Sequence, residues 1–362
     1  ALLDPFGSGA INYYTKYWTP SEQNELQIPI KEMIIYNRLL WLGVSTLIFG
    51  FVYIFFTFSQ NAISFSFRKS KGERFTKSNI SGITKIVLPK VVYNYSFTQN
   101  LKTMWSLSNI DFKYIVKSWP FISIVLVGLV LMIVGLSEIG DIFGTATLPV
   151  TWKMLNIGGV FSISINICTF LFAGMLVSRA KIARVNHLVD ATPIPNWTLL
   201  FSKVIALVKM QVILLAVIML AGIIFQVYNG YYNFEFGHYF KELFFLSLIG
   251  YLVWAFLSVF IQTLVGNPYL GLFILLVVSI GMPFLSFAGI ELDIYKYNQG
   301  PGFGYSDMNG YGILSPFLIY KTYWILCGLA LMVMSALFWV RGIPSSFSER
   351  LAIAKSRLKG GY

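Results

Sequence analysis

Seven apolar runs, at 39–58, 121–136, 155–177, 204–228, 243–265, 270–288 and 320–340, decide what this chain can fold into. An α-helix rises 1.5 Å per residue, so about 20 apolar residues carry it across a hydrocarbon core roughly 30 Å thick. The run at 121–136 is short, but Trp119 and Leu136 flank it and Pro120 sits near its helix start, where proline is tolerated. Composition agrees. Charged residues make up 12% of the chain, against about 25% in soluble domains. The expected fold is an all-α polytopic membrane protein with seven transmembrane helices.

A net charge of +12 would suit nucleic acid if it were gathered on one folded basic domain. Here the basic residues are sorted by loop, which is a topogenic pattern and argues against a nucleic-acid partner. The loop 59–118 holds ten basic residues against Glu73 and Asp111. The loop 178–203 holds four against Asp190, and the tail 341–362 holds five against Glu349. These alternate segments therefore carry nineteen basic and four acidic residues, while the others carry seven and eleven. Only an odd number of spans, with the N-terminus outside and the C-terminus inside, produces that alternation. The expected location is a membrane, with lipid as the first partner.

The chain opens Ala1-Leu2-Leu3-Asp4-Pro5-Phe6-Gly7 with no initiator Met, signal peptide or cleavage motif. It is expected to be a portion of a longer polypeptide. Residues 1–36 are polar and aromatic, with Tyr13, Tyr14, Tyr17 and Trp18, and read as a periplasmic segment near the membrane interface. Residues 37–58 contain the first span, and 59–118 form a cytosolic linker. Its last part repeats apolar residues at Leu101, Met104, Trp105, Leu107, Ile110, Phe112, Ile115 and Val116 with lysines between. That stripe suits a helix lying along the inner leaflet, or one packed on a neighbour. Residues 119–342 hold six spans, and 343–362 a cytosolic tail. Within the outer segments, 230–240 is an aromatic cluster, and 291–315 is rich in Gly and Asn with Pro301. Backbone of that kind near lipid must be shielded by protein or wetted by a cavity, so a partly re-entrant hairpin is expected there.

The turn at 179–197 draws most attention. Ile182, Val185, Leu188 and Val189 recur three and four residues apart, with Lys181, Arg184 and His187 opposite, which predicts a short amphipathic helix. Asp190 and Thr192-Pro193-Ile194-Pro195 stop it. Such a helix between two spans could transmit motion from a soluble partner, or simply fix topology and touch anionic lipid.

Catalytic constellations are scarce. His187 and His238 fall on opposite faces, and neither His-Glu-x-x-His nor a phosphate-cradling Gly-x-x-x-x-Gly-Lys motif is present. Cys168 and Cys327 lie in apolar runs, where a thiol acts as a small hydrophobe. No catalytic residue, metal site or directly bound cofactor is expected. The span cores hold essentially no ionisable residue, since Lys203 and Lys209 lie near a helix start and can snorkel to the inner interface. Ser162, Asn166, Gln211 and Gln262 are uncharged polar groups within spans; they either hydrogen-bond helix to helix or line a substrate path.

Six spans from residue 119, preceded by an interfacial helix and holding a cytosolic helix between the second and third, resemble one half of a type-2 ABC exporter permease. Particular patches go further: Asp4-Pro5-Phe6-Gly7, Asn37-Arg38-Leu39-Leu40-Trp41, Ala191-Thr192-Pro193-Ile194-Pro195-Asn196-Trp197, Tyr231-Tyr232-Asn233-Phe234-Glu235, Tyr305-Ser306-Asp307-Met308-Asn309-Gly310 and Trp339-Val340-Arg341-Gly342. They are similar to large Bacteroidetes-type proteins in which a permease region precedes a zinc aminopeptidase domain. In that comparison, 1–58 ends a first permease half, and the peptidase would lie beyond Tyr362. In the family the turn is acidic as well as basic. Here Met175, Ala180, Ile182, Asn186 and His187 leave it net basic.

The resemblance implies a transmembrane subunit of an ATP-driven exporter. A separate ABC ATPase would hold ATP and Mg and engage Arg179, Lys181, Arg184, Val185, Leu188, Asp190, Pro193 and Pro195. The other permease half, or a second copy, would complete the assembly. The alternative is a non-transporting membrane scaffold within a larger inner-membrane assembly.

Overall fold

The computed structural model describes residues 4, 7–28, 30–55, 96–137, 141–142, 145–146, 148–341 and 347–358. Most of the expected linker, up to residue 95, lies outside the described residues, as do 342–346 and 359–362. Among the described residues the regular structure is helical apart from a two-residue antiparallel pairing of Asp141–Ile142 with Thr145–Ala146 and an isolated Ser306–Gly310 bridge. It divides into two compact units, Ala1–Pro89 and Lys90–Tyr362.

In the first unit, α1 (Ser8–Thr15) and α2 (Pro20–Glu25) precede α3 (Glu32–Phe55). At the start of α2 the Glu22 carboxylate accepts from the Thr19 N–H at 2.7 Å and its hydroxyl at 2.8 Å, a capping arrangement that holds this carboxyl below its usual range. Buried Asn37 donates to the Asp4 carbonyl at 2.8 Å, and the Tyr14 hydroxyl accepts from the Met33 N–H, which folds the N-terminal residues onto α3. The helix thus begins at Glu32, earlier than the apolar run, because a polar turn can extend a span into the interface. Beyond Arg38 its apolar side chains are largely exposed, as lipid-facing groups are.

The second unit holds α4 (Phe97–Val116), α5 (Trp119–Ser137), α6 (Thr151–Gly158), α7 (Ser162–Ile182), α8 (Asn186–Asp190), α9 (Asn196–Tyr228), α10 (Phe236–Phe240), α11 (Leu248–Val265), α12 (Pro268–Phe284), α13 (Ser315–Phe338) and α14 (Phe347–Leu358). A π-helical segment, Lys241–Ser247, joins α10 to α11. Helix α7 is central, packing on α5, α9, α11 and α12. Its buried Ile165, Cys168, Phe172 and Leu176 meet Leu200, Leu207 and Met210 of α9 and Val259 of α11 in one core. Close approach is bought with glycine: a Cβ on Gly328 of α13 would sit 2.4 Å from the Phe256 ring of α11.

Among the described residues six helices are long and apolar enough to cross a membrane: Glu32–Ile54, Trp119–Leu136, Thr151–Ile182, Asn196–Tyr228, Phe236–Val265 and Ser315–Phe338. The run at 270–288 is the one that falls short. It forms α12, 17 residues long with Pro283 inside, and the chain leaves the helix at Phe284. Helices α11 and α13 nevertheless run parallel. Lys321 near the start of α13 donates to Asn298, which donates to the Gly250 carbonyl of α11, while Gly328 faces Phe256 further along. The chain must return between them, and it does so through α12 and the segment after it. That segment folds back along α11, with the Tyr297 hydroxyl on the Val253 carbonyl at 2.8 Å and buried Lys296 bonded to Ser286 and Asp293. Lys296 also donates to the Glu291 carbonyl, Lys321 to that of Asn298 and Trp324 to that of Gln299, so side chains satisfy part of its non-helical backbone.

Candidate functional site

The turn between α7 and α9 differs from the single amphipathic helix that the spacing predicts. Helix α7 runs on to Ile182 and then stops in a tight cap. The Val185 N–H donates to the Ala180 carbonyl at 2.9 Å and the Arg184 N–H to Lys181 at 3.1 Å. This six-to-one and five-to-two pairing requires a left-handed residue between them, a position usually given to glycine. Here Arg184 fills it, with φ 55°. Only Asn186–Asp190 then forms α8, so Ile182 and Leu188 lie on separate helices. The four apolar residues still gather at one tip: Ile182 is 67% and Leu188 74% exposed, Val185 is exposed, and Val189 turns inward.

Behind this tip, Arg341 at the end of α13 grips the descending strand of the turn. Its guanidinium donates to the Thr192 carbonyl at 2.9 Å, to Asn196 Oδ1 at 2.8 Å and to the Ile194 carbonyl. The Pro193 and Pro195 rings leave these carbonyls without competing backbone donors nearby, which is why the segment suits an arginine clamp. Helix α14 adds two more ties. Arg350 donates to the Thr263 and Leu264 carbonyls at the end of α11, and Arg357 to Ala336, Leu337 and Trp339 at the end of α13. The last carbonyls of a helix have no partner within it and carry the negative end of its dipole, so arginine satisfies both. A small enclosed cavity of about 80 Å³ lies beneath, bordered by Asp190, Lys203, Gln262 and Arg350.

Arg179 points elsewhere. It lies 2.6 Å from Asp111 of α4 and over the Tyr114 ring, while Lys203 approaches the same carboxylate at 3.8 Å. Lys209 donates to Ser108 at 2.7 Å and Asn109 at 2.6 Å on α4, and lies over the Trp105 ring. Because α9 begins at Asn196, both lysines lie further into the helix than their apolar run implies, and α4 supplies their polar partners. The stripe on α4 therefore packs on a neighbour, although Trp105 and Ile110 remain exposed. Of the expected contact residues, Lys181, Arg184, Val185, Leu188 and Pro193 are exposed, Asp190 and Pro195 are half-buried, and Arg179 is turned to α4.

The four polar residues proposed for a path separate. Gln211 donates to Thr169 and to the Tyr251 carbonyl, both at 3.0 Å, and Ser162 and Asn166 lie on the adjoining stretch of α7. The Asn166 and Gln211 side-chain oxygens are buried without hydrogen-bond partners. Gln262 stands apart near the end of α11, wedged between Gly174 and Gly271 and bonded to the Pro268 carbonyl.

Sequence reasoning missed one group. It began the fifth span at Leu243, whereas the helix runs unbroken from Phe236 and draws His238 and Glu242 into the bundle, with side chains 6% and 14% exposed. Their i, i+4 spacing, next to an aromatic cluster, was the available signal. His187, in the inner turn, is at the opposite end of the bundle from His238. No protein-family model, curated protein or solved structure matches this chain.

Proposed function

We propose that this chain is the transmembrane subunit of an ATP-driven exporter, on which a separate ABC-type ATPase acts through the 179–197 turn. The clamp of Arg341 on Thr192, Ile194 and Asn196 carries this reading. An exposed apolar tip at Ile182 and Leu188, with Lys181 and Arg184 beside it, offers a soluble partner both contact and charge. Behind it, Arg341 passes displacement to α13, and α14 passes it to α11. A push on one turn thus reaches the inner ends of α7, α9, α11 and α13, which is what a population shift between two bundle arrangements requires.

In this reading α12 and the folded-back segment complete a seventh crossing, with the N-terminus outside and the C-terminus inside a bacterial inner membrane. ATP and Mg belong to the partner, this chain catalyses no reaction, and a second permease half or second copy completes the pore. The test is extraction in mild detergent followed by ATPase assay. A nucleotide-hydrolysing subunit should co-purify, and Leu188→Asp with Arg184→Glu should abolish its stimulation. A second reading, a non-transporting scaffold, is favoured by the same arginine ties, since they also brace the inner face. A scaffold would retain no ATPase and would be indifferent to those substitutions.

A further inference from the structure

A cavity of about 380 Å³ opens at the other end of the bundle, between α6, α9, the π-helical segment and the 303–305 loop. Its rim residues Asn156, Gly159 and Gly304 are exposed. Aromatic rings of Trp152, Tyr251, Phe303 and Tyr305 line it, and among the described residues Glu242 is its only charged lining group. We infer that this cavity binds an organic ammonium ion, with its charge against Glu242 and its carbon groups against the rings.

Three observations carry this. The first is that the Glu242 carboxylate is poorly compensated for a buried charge. Its one hydrogen bond is from the Tyr311 hydroxyl at 3.3 Å, at the long limit for such a bond. Burial and the neighbouring carboxylate push the Tyr311 phenol well up from its usual range, so it stays a donor.

The second is His238, whose buried Nε2 lies 3.3 Å from the same carboxylate but completes no hydrogen bond. The ring is held there, stacked on Tyr311 at 5.2 Å and edge-on to Tyr305 at 3.9 Å. Lys241 lies over the Tyr311 ring at 4.4 Å and Lys153 over the Trp152 ring at 5.8 Å, and neither borders the cavity. A carboxylate with aromatic walls and no resident cation is the arrangement that selects ammonium, by charge and by the negative faces of the rings.

The third is the helix itself. In an α-helix two residues five apart point about 140° away from each other. The i to i+5 bonding of a π segment stacks them instead, and such segments recur at functional sites. Glu242 and Ser247 are five apart on the segment Lys241–Ser247, and both line the cavity. Just before this segment, the buried Tyr239 hydroxyl donates to Gln226 of α9 at 3.2 Å, and Gln226 donates to the Pro149 carbonyl at 2.9 Å.

This site does not rest on the exporter reading, since binding needs no motor. The ammonium could belong to a free amine or to an ethanolamine lipid headgroup. The test is equilibrium binding of radiolabelled phenethylamine to the full chain in phosphatidylglycerol nanodiscs, with phenylacetate as the anionic control. Saturable binding of the amine, not of phenylacetate, is expected, weakened at least tenfold by Glu242→Gln and severalfold by Tyr305→Leu. Tyr305 lies on a loop, so its variant keeps the test open should Glu242→Gln not fold. Adding phosphatidylethanolamine names the source: competition assigns the headgroup, its absence a free amine, and either supports the site. Failure of the wild type to bind, or equal binding by a folded Glu242→Gln or Tyr305→Leu protein, overturns it.

Discussion

The guanidinium of Arg179 lies 2.6 Å from the carboxylate of Asp111, tying the base of α7 to α4. Lys203 shares that carboxylate, so one acidic residue answers for two cations on two helices. Replacing Asp111 by Asn should cost about 2 kcal/mol, since charged hydrogen bonds are lost and a largely buried lysine keeps no counter-charge. Thermal unfolding in detergent measures it. Unchanged stability would mean the cluster is solvated.

Arg341→Gln should free the 192–196 strand without disturbing α7. Hydrogen exchange across 186–196 is expected to rise at least tenfold while the bundle core stays protected. In the exporter reading this variant keeps its ATPase bound and loses transport.

Arg184 occupies a left-handed position that costs an L-residue about 1 kcal/mol. Arg184→Gly should therefore raise stability by roughly that amount, read from the melting temperature. A partner that uses the guanidinium would bind this more stable protein less well. A melting point that falls would show that the arginine is held there by contacts worth more than its backbone strain.

Gly328→Ala places a methyl 2.4 Å from the Phe256 ring, where neither helix backbone can yield cheaply. Overpacking of this kind costs about 1–3 kcal/mol. The reduced stability should be relieved by Phe256→Leu in the same chain, which a double-mutant cycle would read as strong coupling.

Cysteines at 187 and 308 test the crossing count. His187→Cys should be labelled by an impermeant reagent only from the cytosolic side, and Met308→Cys, at a 94% exposed position, only from the opposite side. Labelling of both from one face would remove α12 as a crossing and the proposed topology with it.

The spans were legible because an apolar run longer than a bilayer permits few alternatives. The ends of those spans were not. Periodicity at Ile182, Val185, Leu188 and Val189 is the same whether one helix carries them or a cap interrupts two, and nothing in the residue type announces that Arg184 takes a left-handed backbone. Hydropathy likewise began the fifth span only at Leu243, because His238, Lys241 and Glu242 lower it, although the backbone stays helical through all three. Arg341 could be seen as basic and terminal. Its partners at Thr192 and Ile194 lie roughly 150 residues back along the chain, a separation that local pattern cannot reach.

Helix α14 has a consequence for how the protein is made. It is synthesised after α11 and α13, yet Arg350 and Arg357 supply the partners for the carbonyls at which those helices end. Without α14 those end carbonyls lose these partners, and this end of the bundle loses the ties that Arg350 and Arg357 make.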